Sequence, residues 1–217
     1  MSRFFGMNVP AKSTSNRNRA PFTAKQMLAK RALDLLLAGT ALVILSPLLA
    51  LICLGIKLEG RRPSMLLQRR VVFNGREFTI YNFPTTAWEG ASTVQGRRND
   101  NRVTRVGHLL RATGLHELPQ LFSVLGGQMS LVGPRPYPVD SNGQFSDPIA
   151  LSPTQHQLKP GIIGWTQIIR LSREGARGEQ LNQRVHFERW YIENWSIGFD
   201  LRILLRALVG EWVERGV

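Results

Sequence analysis

Two ionisable side chains stand side by side in the segment 114-GLHELPQLFSVL-125, where His116 directly precedes Glu117. An imidazole beside a carboxylate can move protons or attack an electrophile. The same pair also stands just before Pro119, where a short helix could begin. The residues of this segment therefore leave three alternatives: an active site, an inactive remnant of one, and the start of a helix.

Two loops shaped by proline and glycine carry further polar groups. In 133-GPRPYP-138, Arg135 lies between Pro134 and Pro136, and this restricted backbone suits the presentation of a guanidinium to a phosphate. Without that context, a single arginine is more often a solvated surface charge. The loop 159-KPGIIGWTQI-168 can offer backbone amides and an aromatic face. Its side chains of interest are Lys159, Trp165 and Gln167.

The net charge narrows the class of partner. A formal charge of +13 on 217 residues indicates an anion: nucleic acid, acidic lipid headgroups or phosphorylated substrates. Charge alone supports a nucleic-acid binder, but the sequence has no recognition helix, no RNP-like aromatic motif and no repeat. It also has no Walker loop, GxGxxG, HExxH or cysteine cluster, which leaves nucleotide-hydrolase, Rossmann and zinc-site interpretations without support.

The elements that must hold these groups begin with an apolar run from Ala32 to Ile56, whose single charge is Asp34. A spanning helix is one interpretation, because such a run reaches about 37 Å and a hydrocarbon core is about 30 Å thick. However, Ser46-Pro47 interrupts the run. Proline kinks a helix, and a neighbouring serine hydroxyl can bond a carbonyl that the kink frees. Neither arm then has the roughly 20 residues of a span.

Basic residues flank this run on both sides, and residues 1–31 contain no acidic residue at all. The positive-inside rule places both flanks on the cytoplasmic side. We therefore predict a basic flexible tail (1–29), a re-entrant helix-break-helix membrane hairpin (30–58) and a compact cytosolic domain (59–217). A kinked spanning helix is the alternative. We also expect Asp34 to pair with Lys30 or Arg31 at helical spacing.

The pattern after Leu58 changes to short elements, which predicts a mostly helical α/β fold. The predicted elements are a hairpin turning at Asn74-Gly75, a helix over 103–115 ending near Gly114, a short helix from Glu117 to Leu125 stopped by Gly126-Gly127, and loops at 88–101 and 139–153.

The C-terminal segment 195–217 reads as an amphipathic helix. One face carries Leu201, Leu204, Leu205, Leu208 and Trp212. A core-facing helix and a helix at the membrane surface both fit this pattern. Nearby aromatic residues at Trp190, Tyr191 and Trp195 favour the membrane interface, since such side chains are enriched there.

Six segments, in order, carry a resemblance to a known family. They are KRALDLLLAGTALVILSPLLALI, NGREFTIYNF, RVTRVGHLLRATGL, HELPQLFSVLGGQMSLVGPRP, KPGIIGWTQI and YIENWSIGFDLRILLR. With them the chain resembles the bacterial sugar transferases, the small monotopic phosphoglycosyl transferases, from about Lys30 to the C-terminus. SLVGPRP followed by KPGIIGW, after a membrane segment broken by Ser-Pro, is the most specific part.

The resemblance implies an enzyme on the cytoplasmic face of the bacterial inner membrane. Such enzymes transfer a sugar 1-phosphate from a UDP-sugar to undecaprenyl phosphate with Mg²⁺, and so initiate exopolysaccharide, capsule or O-antigen synthesis. The implied substrate-binding residues are Arg111, Pro134, Arg135, Pro136, Lys159 and Gln167, with Glu117 at the metal. The implied partners include inner-membrane lipids and either a second copy or downstream glycosyltransferases, and no nucleic acid.

Two departures from the family pattern concern the site itself. Relatives have an aspartate-glutamate pair before Leu-Pro, and the aspartate forms a covalent phosphosugar intermediate; here Glu117 matches the glutamate but His116 replaces the aspartate. Asn82 and Pro84 stand where relatives usually have basic residues. Three hypotheses follow: His116 attacks phosphorus, Glu117 attacks with His116 assisting proton transfer, or the chain is a catalytically impaired paralogue that binds substrate or a partner.

Overall fold

The computed structural model describes residues 22–60, 63–71, 77–86, 103–138, 158–169 and 177–214. The helices are α1 (Ala24–Glu59), α2 (Arg105–Thr113), α3 (Gln120–Leu125), α4 (Trp165–Ile168), α5 (Arg177–Glu193) and α6 (Ile197–Glu214). The strands are β1 (Leu66–Val71), β2 (Glu77–Asn82), β3 (Ser130–Val132), β4 (Tyr137–Pro138) and β5 (Gly161–Ile163). The mostly helical α/β class is confirmed. The Asn74-Gly75 turn and the predicted loops at 88–101 and 139–153 lie outside the described residues, as does the predicted tail up to residue 21.

Helix α1 begins at Ala24, before the hairpin boundary predicted at Lys30. Thr23 caps it, since its hydroxyl accepts a hydrogen bond from the backbone of Gln26 at 3.3 Å. The Gln26 side chain accepts one in return from the Thr23 backbone at 2.9 Å. This reciprocal capping box satisfies two backbone donors and explains why the helix starts within the segment predicted as tail.

Pro47 lies inside α1 without ending it. The Ser46 hydroxyl donates to the carbonyl of Val43 at 2.8 Å. This carbonyl lies four residues before Pro47, which has no N–H to offer it, so the serine supplies the missing donor. The predicted role of Ser46 is confirmed. The re-entrant hairpin stays a prediction, because α1 is one helical element with a proline inside it.

One stripe of α1 is buried, and most of its remaining apolar surface is exposed. The buried apolar residues are Ala38, Leu42, Leu49, Ile52 and Ile56. The exposed ones include Leu36, Val43, Ile44, Leu51 and Leu54. Only 11% of the most apolar 18-residue stretch is buried within the protein. A soluble core helix would bury far more of this surface, so α1 fits a membrane-attached helix, for which its length and composition suffice.

Lys30 ties the start of α1 to the last helix of the domain. Its Nζ lies 2.5 Å from Asp200 Oδ2 and donates to the carbonyl of Val132 at 2.9 Å. The Lys30 and Asp200 side chains are only 6% and 3% exposed. Asp200 also accepts hydrogen bonds from Tyr191 Oη at 2.7 Å and Trp195 Nε1 at 3.0 Å. The ion pair is therefore buried and extensively hydrogen-bonded.

Asp34 has a different partner from the one predicted. Its Oδ1 accepts hydrogen bonds from the Ser130 hydroxyl and the Leu131 backbone N–H, both at 3.0 Å. The prediction that Asp34 pairs with Lys30 or Arg31 is wrong. Tertiary packing brings β3 and α6 against this face of α1, and each charge is satisfied by them rather than by its neighbour along the helix.

Two small sheets organise the loops of the domain. In the first sheet β1 is the middle strand, antiparallel to β2 on one side and to the two-residue β4 on the other. In the second, β3 and β5 are parallel. The proline-rich segment predicted as a rigid loop therefore runs between the end of β3 and β4, which pairs at the edge of the first sheet as prolines permit.

Glycines allow the second sheet and its loops to interlock. Gly161 N donates to the carbonyl of Pro134 at 2.9 Å, and Gly133 N to that of Ile163 at 3.1 Å. A Cβ on Gly133 would lie 2.4 Å from the Lys159 carbonyl oxygen, and one on Gly161 would lie 2.0 Å from Gly133 N. The backbones thus approach too closely for any side chain at either position.

Helix α2 ends where the sequence predicts, at a left-handed Gly114 with φ 72°. The short helix predicted from Glu117 starts only at Gln120, and Leu115–Glu117 form a separate 3₁₀ turn. Leu118 N donates to Leu115 O at 3.2 Å, which closes that turn. Pro119 is the capping residue from which α3 begins, and Phe122 N donates to its carbonyl at 3.1 Å.

The aromatic residues of α5 and its C-terminal end pack inward. Tyr191 and Trp195 are 1% and 8% exposed, and Phe199 is also buried. The predicted place of Tyr191 and Trp195 at a membrane interface is wrong, because both donate to the buried carboxylate of Asp200. Phe199, at the start of α6, packs against the ring of Trp165. Trp190 is half-buried and stacks on Trp165 with 5.9 Å between ring centroids.

The leucine face of α6 points away from the core. Leu201, Leu205 and Leu208 are 40%, 62% and 66% exposed, whereas Ile203 is fully buried. The core-facing interpretation of that face is therefore wrong, although Leu204 does pack partly against the core. The Trp212 side chain lies outside the described residues.

Candidate active site

His116 and Glu117 lie in the 3₁₀ turn between α2 and α3. The backbone N–H of Phe83, just after β2, donates to the carbonyl of His116 at 2.9 Å. Helix α2 packs directly against the residues that follow β2, since a Cβ on Gly107 would lie 2.0 Å from the Thr85 carbonyl oxygen. Because the turn and α2 are both bound to residues 83–85, the two side chains project from a fixed backbone.

The His116 ring faces the end of α2. Its Nδ1 lies 3.2 Å from the Leu110 carbonyl oxygen, and its Nε2 lies 3.8 Å from Glu117 Oε1. A carbonyl only accepts hydrogen bonds, so Nδ1 must carry the hydrogen for this bond to form. In this tautomer the lone pair lies on Nε2. The His116 side chain as a whole is 30% exposed.

Glu117 lies among arginines. Its Oε1 is 3.8 Å from Arg135 Nη2, and both side chains are partly exposed. Burial, and next the charge of Arg135, hold the pKa of Arg70 below its usual value, while Glu117 opposes this change. Arg70 and Arg135 are thus close enough to repel one another, with Glu117 as the carboxylate near both. The resulting positive charge suits an anionic ligand.

Side-chain amides connect Arg70 to the base of the turn. Arg70 Nη2 donates to Gln68 Oε1 at 3.1 Å, and Asn82 Nδ2 donates to the same oxygen at 3.0 Å. Gln120 Nε2 in turn donates to Asn82 Oδ1 at 2.9 Å. Asn82, at a position where the resemblance predicts a basic residue, is therefore a buried link of this network rather than a cation facing a substrate. Pro84, at the other such position, is also buried.

Arg70 lies near Glu117 and Arg135 but was not among the predicted site residues. Strand alternation was the available signal, because Gln68 and Arg70 lie two residues apart on one face of β1. Arg111, which was predicted, donates from Nε to Thr85 Oγ1 at 2.8 Å. It therefore lies beside the segment that clamps the turn, on the same side of α2 as Thr85.

The proline loop holds Arg135 as predicted. The Pro134 carbonyl is bound by Gly161, and Pro134 is buried while Pro136 is half-buried. Two restricted residues therefore fix the backbone from which the Arg135 guanidinium reaches Glu117.

Lys159 and Gln167 lie in other surroundings. Both Lys159 Nζ and Arg31 Nη2 contact the space beside Gly127, at 3.6 Å and 3.4 Å from the position of an added Cβ. Burial, and next Arg31, lower the pKa of Lys159, and Asp34 opposes this. Gln167 Oε1 accepts from the Gly164 backbone N–H at 2.6 Å and so caps α4. The structure thus gives Gln167 a local capping contact and places Lys159 near the start of α1.

No group of three His, Cys, Asp or Glu side chains in the described part of the chain is arranged to enclose a metal ion. Mg²⁺ at phosphate-transfer sites, however, is commonly held by one or two carboxylates together with substrate phosphates. Glu117 is 31% exposed, and its separation of 3.8 Å from Arg135 is longer than a direct hydrogen bond. Its carboxylate therefore fits a shared, substrate-dependent magnesium site.

Comparison with known proteins defines the class. The family model for bacterial sugar transferases matches residues 25–212, and the chain belongs to this family. It is 38% identical over 197 residues, or 90% of its length, to a UDP-glucose:undecaprenyl-phosphate glucose-1-phosphate transferase of Escherichia coli (strain K12), of which it covers 42%. A Caulobacter vibrioides protein of the same name is 39% identical over 83% of this chain and 68% of its own length.

A third relative acts on a different sugar. The UDP-N-acetylgalactosamine-undecaprenyl-phosphate N-acetylgalactosaminephosphotransferase of Aeromonas hydrophila is 37% identical over 82% of this chain and 42% of its own length. Against the E. coli, Xanthomonas, Klebsiella and Komagataeibacter relatives, the chain spans only 38% to 43% of their length. The residues that the family model matches, 25–212, include all but the first residue of α1, the 3₁₀ turn and both loops.

Proposed function

We propose that this chain transfers a sugar 1-phosphate from a UDP-sugar to undecaprenyl phosphate and thereby initiates polysaccharide synthesis. The observation that carries this proposal is the carboxylate of Glu117 beside Arg135 and Arg70, in a turn clamped to the domain that α1 anchors. The activities named for the relatives support it. Because those names include both glucose and N-acetylgalactosamine, the sugar stays open.

The charges suit a diphosphate substrate. Phosphoryl transfer depends largely on positioning and on neutralising charge at the phosphate oxygens. Arg135 and Arg70 repel one another in the free protein, and an anion between them would relieve that repulsion. The half-exposed Arg135 guanidinium also has donors available for two phosphate oxygens at once.

Mg²⁺ is part of this proposal, with Glu117 as the carboxylate that would hold it beside the substrate phosphates. When bound, the ion would neutralise charge on the diphosphate. Arg135 would still face Glu117 from the loop side, so the carboxylate would be oriented by both groups. Removal of the Glu117 charge is therefore expected to weaken the dependence of binding on Mg²⁺.

We further propose that α1 is re-entrant and holds the domain at the cytoplasmic face of the inner membrane. Arg31 donates to the Val124 and Leu125 carbonyls, while Glu59 at the other end of α1 accepts from Val106 N at 3.2 Å. A straight helix would separate these ends by about 42 Å at 1.5 Å per residue. Two contacts with the short α2–turn–α3 unit favour a bend at Pro47.

Cysteine labelling tests this topology. Cys53 is the sole cysteine, so a Cys53→Ala background accepts single reporters at Lys25→Cys and Gly60→Cys. A re-entrant helix makes both reporters react with an impermeant reagent from the cytoplasmic side only. Labelling from opposite sides would instead establish a spanning helix.

The exposed leucines of α6 would rest on the same membrane surface. Leu205 and Leu208 are more than half exposed, and Arg202 and Arg206 lie elsewhere around the helix, where they can meet lipid phosphates. Binding of a second copy or of downstream glycosyltransferases stays a prediction.

Product formation tests the activity. Purified full chain is incubated with labelled UDP-sugars, Mg²⁺ and undecaprenyl phosphate, next to Glu117→Ala, His116→Asp and an active relative. Lipid-linked product from the wild type that is lost in Glu117→Ala is the expected result. Product from His116→Asp alone would show that the site of the wild type is silenced. It would support the second candidate function, a catalytically impaired paralogue that binds substrate or a partner. The presence of His116 and Asn82 in place of the family's aspartate and basic residue favours that candidate.

A further inference from the structure

Building on the proposed function, we infer that Nε2 of His116 is the nucleophile that receives the phosphosugar, forming a phosphorus–nitrogen bond in place of an acyl phosphate. Three features of the turn carry this inference: the orientation of the ring, the electrostatics at the end of α2, and the different surroundings of Glu117.

The ring orientation leaves one nitrogen for chemistry. The Nδ1–H of His116 is bound to the Leu110 carbonyl, so the lone pair resides on Nε2, on the ring side that faces Glu117. The His116 carbonyl is itself fixed by Phe83 N at 2.9 Å. Backbone and ring are thus both held, and a nucleophile held in position needs little reorganisation before it attacks.

The end of α2 favours the charged product of that attack. Leu110 is among the last four residues of α2, whose carbonyls lack the regular N–H partner four residues on within the helix, and these carbonyls form the negative end of the helix dipole. The Thr113 hydroxyl also approaches the Leu110 oxygen, but only at 3.4 Å. The left-handed Gly114 turns the chain back, so that the imidazole meets this end. When Nε2 bonds to phosphorus the ring becomes a cation, and its hydrogen bond to Leu110 becomes charge-assisted.

Glu117 is less suited to attack. Its Oε1 is the atom that faces both Arg135 Nη2 and His116 Nε2, at 3.8 Å each. A guanidinium that faces a carboxylate neutralises part of its negative charge, whereas the bond to Leu110 engages Nδ1 of His116 and leaves Nε2 outside it. Glu117 instead stands where it can stabilise the positive ring and hold the substrate's cation.

The two steps balance without proton transfer. The Nε2 lone pair forms a bond to the phosphorus that carries the sugar, and the bond from that phosphorus to the bridging oxygen breaks. The oxygen leaves with the electron pair as the nucleoside monophosphate. A phosphate oxygen of undecaprenyl phosphate then bonds to the same phosphorus, the phosphorus–nitrogen bond breaks, and the imidazole recovers its lone pair with Nδ1 still protonated.

Trapping the intermediate tests the inference. Full chain is incubated with labelled UDP-sugar and Mg²⁺ without the lipid acceptor, and the labelled residue is located by peptide mass spectrometry under conditions that preserve acid-labile bonds. The expected result is a sugar-phosphate adduct on His116, with release of the nucleoside monophosphate. Addition of undecaprenyl phosphate should discharge the adduct into lipid-linked product.

Two substitutions separate the nucleophile from the fold. His116→Asn keeps a side-chain N–H near the place of Nδ1 for the Leu110 carbonyl but has no nucleophilic nitrogen, so adduct and product are lost while nucleotide-sugar binding is retained. His108→Ala, a matched change at an exposed histidine of α2, should retain both the adduct and the lipid-linked product. Product from the wild type with the label on Glu117, or product from His116→Asn, overturns the inference but leaves the proposed function intact. Neither adduct nor product from the wild type overturns both.

Discussion

Lys30 and Asp200 form a buried ion pair, and removal of one partner should destabilise the protein far more than removal of both. Lys30→Met leaves the carboxylate of Asp200 in a site that is 3% exposed, where Tyr191 and Trp195 still donate to it. The Val132 carbonyl loses its bond to Lys30 but keeps the Ser130 hydroxyl as a donor at 2.9 Å. Breaking a buried pair in this way costs about 3–5 kcal/mol. Since two donors remain on Asp200, we expect a loss near the lower end of that range.

The loss is measurable by thermal unfolding of the detergent-solubilised full chain, followed by tryptophan fluorescence. For a chain of this size 1 kcal/mol shifts Tm by about 2–4 °C, so Lys30→Met should lower Tm by roughly 6–12 °C. Adding Asp200→Asn should restore part of the loss, because the lone charge is gone. Lys57→Met, at an exposed lysine of the same helix, serves as the control and should stay within about 0.5 kcal/mol. If Lys30→Met is as stable as the wild type, or the double variant no better than the single one, the ion pair does not hold α1 to α6.

Three further outcomes are expected. Gly133→Ala should destabilise the fold by about 1–3 kcal/mol because its Cβ would lie 2.4 Å from a carbonyl oxygen, whereas Gly198→Ala, with open space around it, should change stability by less than about 1 kcal/mol in the same assay. Burial, and next the charge of Asp200, raise the pKa of Tyr191 well above its ordinary value. The unfolded chain therefore loses this proton first, so the free energy of unfolding should be retained below pH about 10 and fall as the pH rises above it. A pH series in which Tyr191→Phe shows the same fall would contradict this expectation. Arg135→Lys should raise KM for the UDP-sugar roughly 10- to 100-fold in the transfer assay, since a lysine cannot bind two phosphate oxygens as a fork, and an unchanged KM would place the diphosphate elsewhere.

Features that depend on neighbours along the chain could be predicted from the sequence. The Ser46 hydroxyl bonds the carbonyl that Pro47 leaves without a donor, and Gly114 ends α2, because both effects act within one helical turn. The 3₁₀ turn at Leu115–Glu117 was missed, because the helical pattern of apolar residues does not distinguish a 3₁₀ turn from the first turn of an α-helix.

Partners that are distant in sequence could not be predicted. Asp34 and Lys30 are spaced for pairing with each other, yet Lys30 contacts a residue 170 positions away and Asp34 one 97 positions away. No local rule anticipates which strand or helix arrives at that face. The C-terminal leucines gave the same difficulty, since amphipathicity shows that a face is apolar but not what covers it.

The site was predictable to the extent that rigid loops present their charges. Arg135, between two prolines, does reach Glu117. Lys159 lies in an equally rigid loop, but its surroundings depend on the interlock of Gly133 and Gly161, and it lies beside Arg31. Arg70 belongs to β1, whose pairing with β4 brings it near the proline loop. The two segments lie far apart in the sequence, and neither segment alone indicates that they pair.

The contact between Lys30 and Asp200 also sets an order of events during synthesis. At about 5–20 residues per second, a ribosome needs roughly 10–30 s to reach Asp200 after Lys30 has been made. For that interval α1 exists without its buried counter-charge. The contact that holds α1 to α6 is therefore completed late, although α1 is made first, and a chain interrupted before Asp200 would leave Lys30 without the carboxylate that it binds in the complete fold.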